Sequence, residues 1–154
     1  MARATWERPN EPSIDLLPDG RVLLDGALLW RIDGSGRVTD SHQDPVALLE
    51  PEGGVWGPDH KRFGGVEATS AAPPDSGYAW LTMGPDGRMT RYTTDGDAYD
   101  AGVWRGCDGA AQRTCMLVSH LITLQGARLP GGAWGVGVGV GVGVGVGVGI
   151  GIRR

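Results

Sequence analysis

Short apolar runs, each closed by Asp-Gly or Pro-Asp-Gly, limit most strongly what this chain can fold into. Ile14-Asp15-Leu16-Leu17 runs into Pro18-Asp19-Gly20, and Arg21-Val22-Leu23-Leu24 follows at once. Proline presets φ at the first central position, aspartate tolerates the next, and glycine accepts the positive φ that ends the turn. The predicted unit is a β-hairpin on a type I turn with a glycine bulge. Gly84-Pro85-Asp86-Gly87-Arg88-Met89 repeats the device, and shared turn chemistry explains so short an echo better than duplication.

The pattern continues along the chain. Asp25-Gly26 precedes Ala27-Leu28-Leu29-Trp30-Arg31-Ile32, where Leu28, Trp30 and Ile32 fall on one face and Arg31 and Asp33 on the other. That alternation marks a half-buried strand. Asp33-Gly34-Ser35-Gly36 turns into Arg37-Val38-Thr39, and further strands are expected at residues 46–49, 55–56, 63–66, 78–83 and 90–94. Residues 115–124 form the longest apolar run outside the C-terminal repeat, with apolar side chains at both parities. A short helix fits them almost as well as a strand, but their Thr, Val and Ile content favours a central strand buried on both faces.

Strands at this spacing, with no helices between them, predict an all-β fold: an antiparallel hairpin meander forming a small sandwich or a partly open barrel. The expected organisation is a flexible N-terminal tail at 1–12, a β-rich domain at 13–125 and a low-complexity Gly/Val tail at 126–154. With 28 glycines and 10 prolines in 154 residues, turns dominate and long helices are disfavoured. A net charge of −4, with Lys61 the only lysine, carries no basic footprint for nucleic acid.

Few motifs carry chemistry. An EF-hand counted from Asp33 puts Val38 at its sixth position and Asp44 at its twelfth, where glycine and glutamate are needed. Asp95, Asp97 and Asp100 bring three carboxylates within six residues, which makes them the candidate ligands for a hard cation. The alternative for them is a solvated turn. His42 and His60 sit in polar stretches beside Asp44 and Asp59, and His120 reads as a hydrogen-bonded core histidine. No Gly-x-Ser-x-Gly elbow and no phosphate loop occurs, so no catalytic residue and no cofactor is assigned.

Cys107 and Cys115 are eight positions apart. They read either as two reduced thiols or as a disulfide stapling a short loop, and their spacing matches neither a redox Cys-x-x-Cys pair nor a zinc site. Trp6, Trp30, Trp56, Trp80, Trp104 and Trp134 are evenly spread. They read as core anchors, with an exposed row for glycan or peptide stacking as the alternative.

Residues 135–152 alternate Gly with Val or Ile before Arg153-Arg154. As a strand this segment puts every Val and Ile on one face; as a helix it is penalised at each glycine but has about the length of a membrane span. An inert extension, a self-associating strand and a membrane anchor all fit. The first residues lack an apolar signal region, so the expectation is a cytoplasmic chain, or an exported one if the cysteines are oxidised. The leading functional reading is a non-enzymatic β-rich binding or structural module with a protein or glycan partner. Its rivals are an envelope protein held by its tail and a metal-assisted hydrolase using His60, His120 and the Asp95, Asp97, Asp100 cluster.

Overall fold

The computed structural model describes residues 3–74 and 76–128, so the Gly/Val repeat and Trp134 lie outside it. Its strands are Ala4–Glu7 (β1), Ile14–Leu16 (β2), Arg21–Leu24 (β3), Ala27–Ile32 (β4), Arg37–Asp40 (β5) and Pro45–Leu49 (β6). Gly54–Trp56 (β7), Arg62–Val66 (β8), Ser70–Ala72 (β9), Leu81–Met83 (β10), Arg88–Tyr92 (β11) and Ala98–Arg105 (β12) complete the series. Each strand pairs antiparallel with its chain neighbours, and β12 pairs with β1 through Thr5–Arg105, Trp6–Trp104 and Glu7–Val103. That last seam closes the ring into a twelve-stranded barrel.

The barrel corrects two expectations. It is closed, neither a sandwich nor partly open, and the closing strand comes from the segment expected to be a flexible tail at 1–12. Trp6 is the reason. It is 3% exposed, stacks on Trp104 with ring centroids 5.7 Å apart, and donates its indole N–H to Ala101 O at 2.8 Å. Such a pair contributes about 0.5–1.5 kcal/mol beyond the area it buries.

The turns follow the predicted chemistry. At Leu17–Gly20, Asp33–Gly36, Glu50–Gly53 and Gly84–Gly87 the fourth N–H donates to the first carbonyl at 2.9–3.1 Å. The fourth residue's own carbonyl then accepts the last rung of the following hairpin, as in Ile32 N–H to Gly20 O and Trp104 N–H to Gly87 O, both 2.8 Å. Gly87 is held at φ +85°, and a Cβ there would lie 2.0 Å from Trp104 O. Asp40–Gln43 makes the same turn with Gln43 at φ +67°.

The chain forms two compact units: Met1–Val118, which holds the barrel, and a second that starts at Ser119. A helix, Ala111–Arg128 (α1), crosses that boundary. The helix also replaces the strand predicted at 115–124. Cys115, Met116, Leu117 and Val118 are four successive buried residues, which is more than one full helical turn. A helix surrounded on all sides loses the one-sided 3.6-residue pattern by which surface helices are recognised.

In the first unit, α1 begins in the mouth ringed by three of the hairpin turns. Arg113, Thr114 and Leu117 share a cleft with Asp33–Gly36, Glu50 and Pro51, while Gln112 faces Gly84–Gly87 across another. Arg113 reaches Glu50 O at 3.3 Å and Val66 O at 3.4 Å. Strands spaced about 4.8 Å apart and tilted as barrel strands are enclose a radius of roughly 11 Å when there are twelve. In the second unit Ser119, His120, Leu121 and Leu124 are buried, and Thr123 donates to Ser119 O at 2.8 Å.

Ile14, Leu16, Val22, Trp30, Val38, Val55, Val66, Leu81 and Met89 are all within 2% of full burial. Arg21, Arg31, Arg37 and Arg88 are exposed. The strands are three to eight residues long, short of the 9–11 or so that cross a bilayer. An apolar interior under a charged exterior is the reverse of a transmembrane barrel.

Candidate functional site

Cys107 and Cys115 form a disulfide, S–S 2.04 Å, joining the segment after β12 to the second turn of α1. Four of the five described tryptophans, Trp6, Trp30, Trp80 and Trp104, are 2–5% exposed. Trp56 is half-buried and donates to Glu50 Oε1 at 2.6 Å. They are core anchors, not an exposed stacking row.

The candidate cation ligands are dispersed. Asp95 and Asp97 lie in the β11–β12 turn. Asp100 sits on β12, accepting Gly102 N–H at 2.9 Å and facing Arg88 at 4.0 Å. Among the described residues no three His, Cys, Asp or Glu side chains gather where a metal ion would bind. His42 and His60 are exposed; His120, expected on a strand, is a buried residue of α1.

The site that the sequence did not single out lies at the end of β11 remote from Gly87. A cleft of about 380 Å³ is lined by Tyr78, Thr82, Tyr92, Thr93 and Thr94, with Ala79 and Gly96 at its edge. Strand register explains the lining. Met83–Met89 and Leu81–Arg91 are partners across β10 and β11, and buried Leu81, Met83 and Met89 mark that face as the inner one. Thr82 and Tyr92, at the opposite parity, therefore stand on the outer face. Thr93–Gly96 forms another four-residue turn, Gly96 N–H to Thr93 O at 3.0 Å, and carries Thr93 and Thr94 round the lip. The other wall is the Tyr78-Ala79 segment before β10, with Tyr78 N–H on Ser76 Oγ at 3.2 Å.

Arg91 braces this cleft from the inner side. Its guanidinium lies 4.6 Å from the Trp80 ring centroid, donates to Tyr92 O, and hydrogen-bonds the Tyr78 side chain. Burial pulls Arg91 below its usual value, and Tyr78 acts in the opposite sense; an arginine stays charged regardless. Arg91 thus ties the Tyr78 side chain and the Tyr92 backbone to one point. Thr93 Oγ1 is the buried side-chain polar atom without a hydrogen-bond partner among the described residues. Buried hydroxyls are normally paired, so this one stands out.

The groups gathered here are those of recognition: two phenol rings, three hydroxyls and no charged side chain among the described lining residues. Two signals for them were present in the sequence, the Tyr78-Ala79-Trp80 triplet and the Tyr92-Thr93-Thr94 run. Only the fold shows that they meet. No family model matches the chain, and neither a curated protein nor a solved structure does.

Proposed function

We propose that this protein is a non-enzymatic binding module, a rigid closed barrel that presents the Tyr78–Tyr92–Thr93 cleft to a ligand. The observation that carries this reading is the unpaired Thr93 hydroxyl in the wall of that cleft. Leaving a hydroxyl buried and unbonded costs about 1–3 kcal/mol, and a side-chain rotation that brought it to a bound ligand would recover part of that. Rigidity supports the same conclusion. Tyr78 is held through Arg91, so little of its ordering entropy remains to be lost on binding.

Amide and side-chain NMR spectra of the full chain test the proposal, with two probes added separately: neutral trisaccharides and uncharged tetrapeptides. One of them should shift resonances of Thr82, Tyr92, Thr93 and Gly96 in a saturable way, leaving those of β3–β6 in place. Shifts at neither probe, or shifts spread over the barrel, reject the cleft as the binding site.

A further inference from the structure

Resting on the binding role proposed above, we infer that the ligand of the Tyr78–Tyr92–Thr93 cleft is a neutral sugar ring. The lining selects for it by elimination. An anionic ligand would need a cationic group in the wall, yet Arg91 is committed to Trp80, Tyr78 and the Tyr92 carbonyl. A wholly apolar ligand would leave the hydroxyls of Thr82 and Thr94 unbonded beneath it. An extended peptide recognised by strand addition needs a free sheet edge. Here β10 is already paired on both sides, to β9 and to β11, in a ring that has no edge.

A pyranose meets each requirement at once. Its C–H face packs on a phenol ring, and the hydroxyls round its rim find threonine hydroxyls. At about 380 Å³ the cleft is at the small end for small-molecule sites, which span about 300–1,000 Å³. Thr93 supplies the specific contact. Its Oγ1 is covered and unbonded, so no hydrogen bond resists a rotation about χ1 to another staggered position. The sugar contact requires the position that aims the hydroxyl into the cleft.

Arg91 is a positioning residue in this scheme, because it touches the tyrosines and not the sugar. Lysine cannot replace it: the planar guanidinium both stacks on Trp80 and forks to two acceptors, whereas an ammonium is a point charge.

Saturation-transfer NMR on the full chain is the test, using maltotriose, cellotriose, mannotriose and chitotriose as probes, with uncharged tetrapeptides alongside. At least one trisaccharide should receive saturation at its ring C–H protons. Thr93→Val should weaken that binding about threefold to tenfold, the effect of one neutral hydrogen bond. Tyr92→Ala should weaken it at least about tenfold, while Tyr92→Phe keeps the ring and the binding. Arg91→Lys should weaken it with the trisaccharide preference unchanged. If Tyr92→Ala fails to fold, Thr93→Val and Tyr92→Phe still decide the matter. Saturation of the peptides but of no trisaccharide overturns the sugar assignment and leaves the binding role intact. No transfer to either probe overturns both, and transfer to a sugar that Thr93→Val leaves unaltered overturns the assignment to this cleft.

Discussion

Three turns of one geometry give a sharp test of how the barrel is held together. Gly87, Gly96 and Gln43 all end four-residue turns, at φ +85°, +88° and +67°. Their surroundings differ. A Cβ on Gly96 would meet nothing within 4 Å, whereas one on Gly87 would come 2.0 Å from Trp104 O. Left-handed backbone costs an L-residue about 1–2 kcal/mol, offset by about 0.4–1 kcal/mol because alanine restricts the unfolded chain. Gly96→Ala should therefore destabilise by about 0.5–1 kcal/mol, and Gln43→Gly should stabilise by a similar amount. Gly87→Ala carries the same penalty and must also push the Trp104 carbonyl away by about 1.4 Å to reach ordinary contact. That breaks the 2.8 Å rung from Trp104 N–H to Gly87 O and disturbs the Trp6–Trp104 stack, for a total near 3–4 kcal/mol. Urea unfolding followed by tryptophan fluorescence measures all three. With m near 2 kcal/mol/M, Gly87→Ala should lower the midpoint by about 1.5–2 M and Gly96→Ala by less than about 0.5 M. Costs for the two alanines that agree within about 0.5 kcal/mol would refute the claim that neighbouring strands, and not φ alone, impose glycine at that mouth.

Two further outcomes follow from other parts of the first unit. Replacing Cys107 and Cys115 together by alanine should cost about 2.5 kcal/mol on the chain-entropy account of so short a loop; thiol titration of protein taken directly from its host should find both oxidised, and two free thiols would remove the brace. Asp15 is buried, which by itself raises its carboxyl; bonds from Arg3 at 2.8 Å and Thr5 at 2.7 Å outweigh that and hold it below the usual range. Its stabilisation is therefore fully present above the unfolded value of about 3.9 and is lost as pH falls through the lower folded value. The stability gap between wild type and Asp15→Asn, from urea curves at several pH values, should stay level from pH 8 to 5 and narrow below pH 4; a gap unchanged at pH 2.5 contradicts the pairing.

The parts legible in the sequence were those governed by local chemistry. Pro18-Asp19-Gly20 and Gly84-Pro85-Asp86-Gly87 specify their turns through φ preferences alone, so the hairpins at β2–β3 and β10–β11 follow without tertiary information. Trp30 and Val38 announce the inner face by alternation. The misreadings share one cause: partners distant in the chain. β1 reads as a tail because four residues beside two prolines have no period of their own, and only Trp104, almost a hundred residues on, gives Trp6 its place. The start of α1 reads as a strand because burial on all sides erases helical periodicity. Tyr78 extends no strand, since β10 begins only at Leu81, yet that irregular approach is what lets Tyr78 face Tyr92. The cleft was invisible for the same reason: Arg91 looks like any strand arginine until the register turns it inward, where it meets Trp80 and the Tyr78 side chain.

Short strands force the rest of the design. A seam such as β9–β10 or β6–β7 has two partner pairs, so cross-strand pairing alone holds it weakly, and apolar filling of the interior has to supply the stability. An empty lumen would forfeit dispersion contacts throughout its lining. The first turns of α1 meet that need at one mouth, and the Cys107–Cys115 bond fastens them immediately after the last strand is laid down. The cleft is at the other end of β11, five residues or about 17 Å away along the strand. Filling and recognition are thereby separated along one strand. Substitutions among Cys115–Val118 should act on stability, those at Tyr92 and Thr93 on binding, and Arg91, whose ring contact faces the interior while its hydrogen bonds hold the cleft wall, is the residue where the two effects meet.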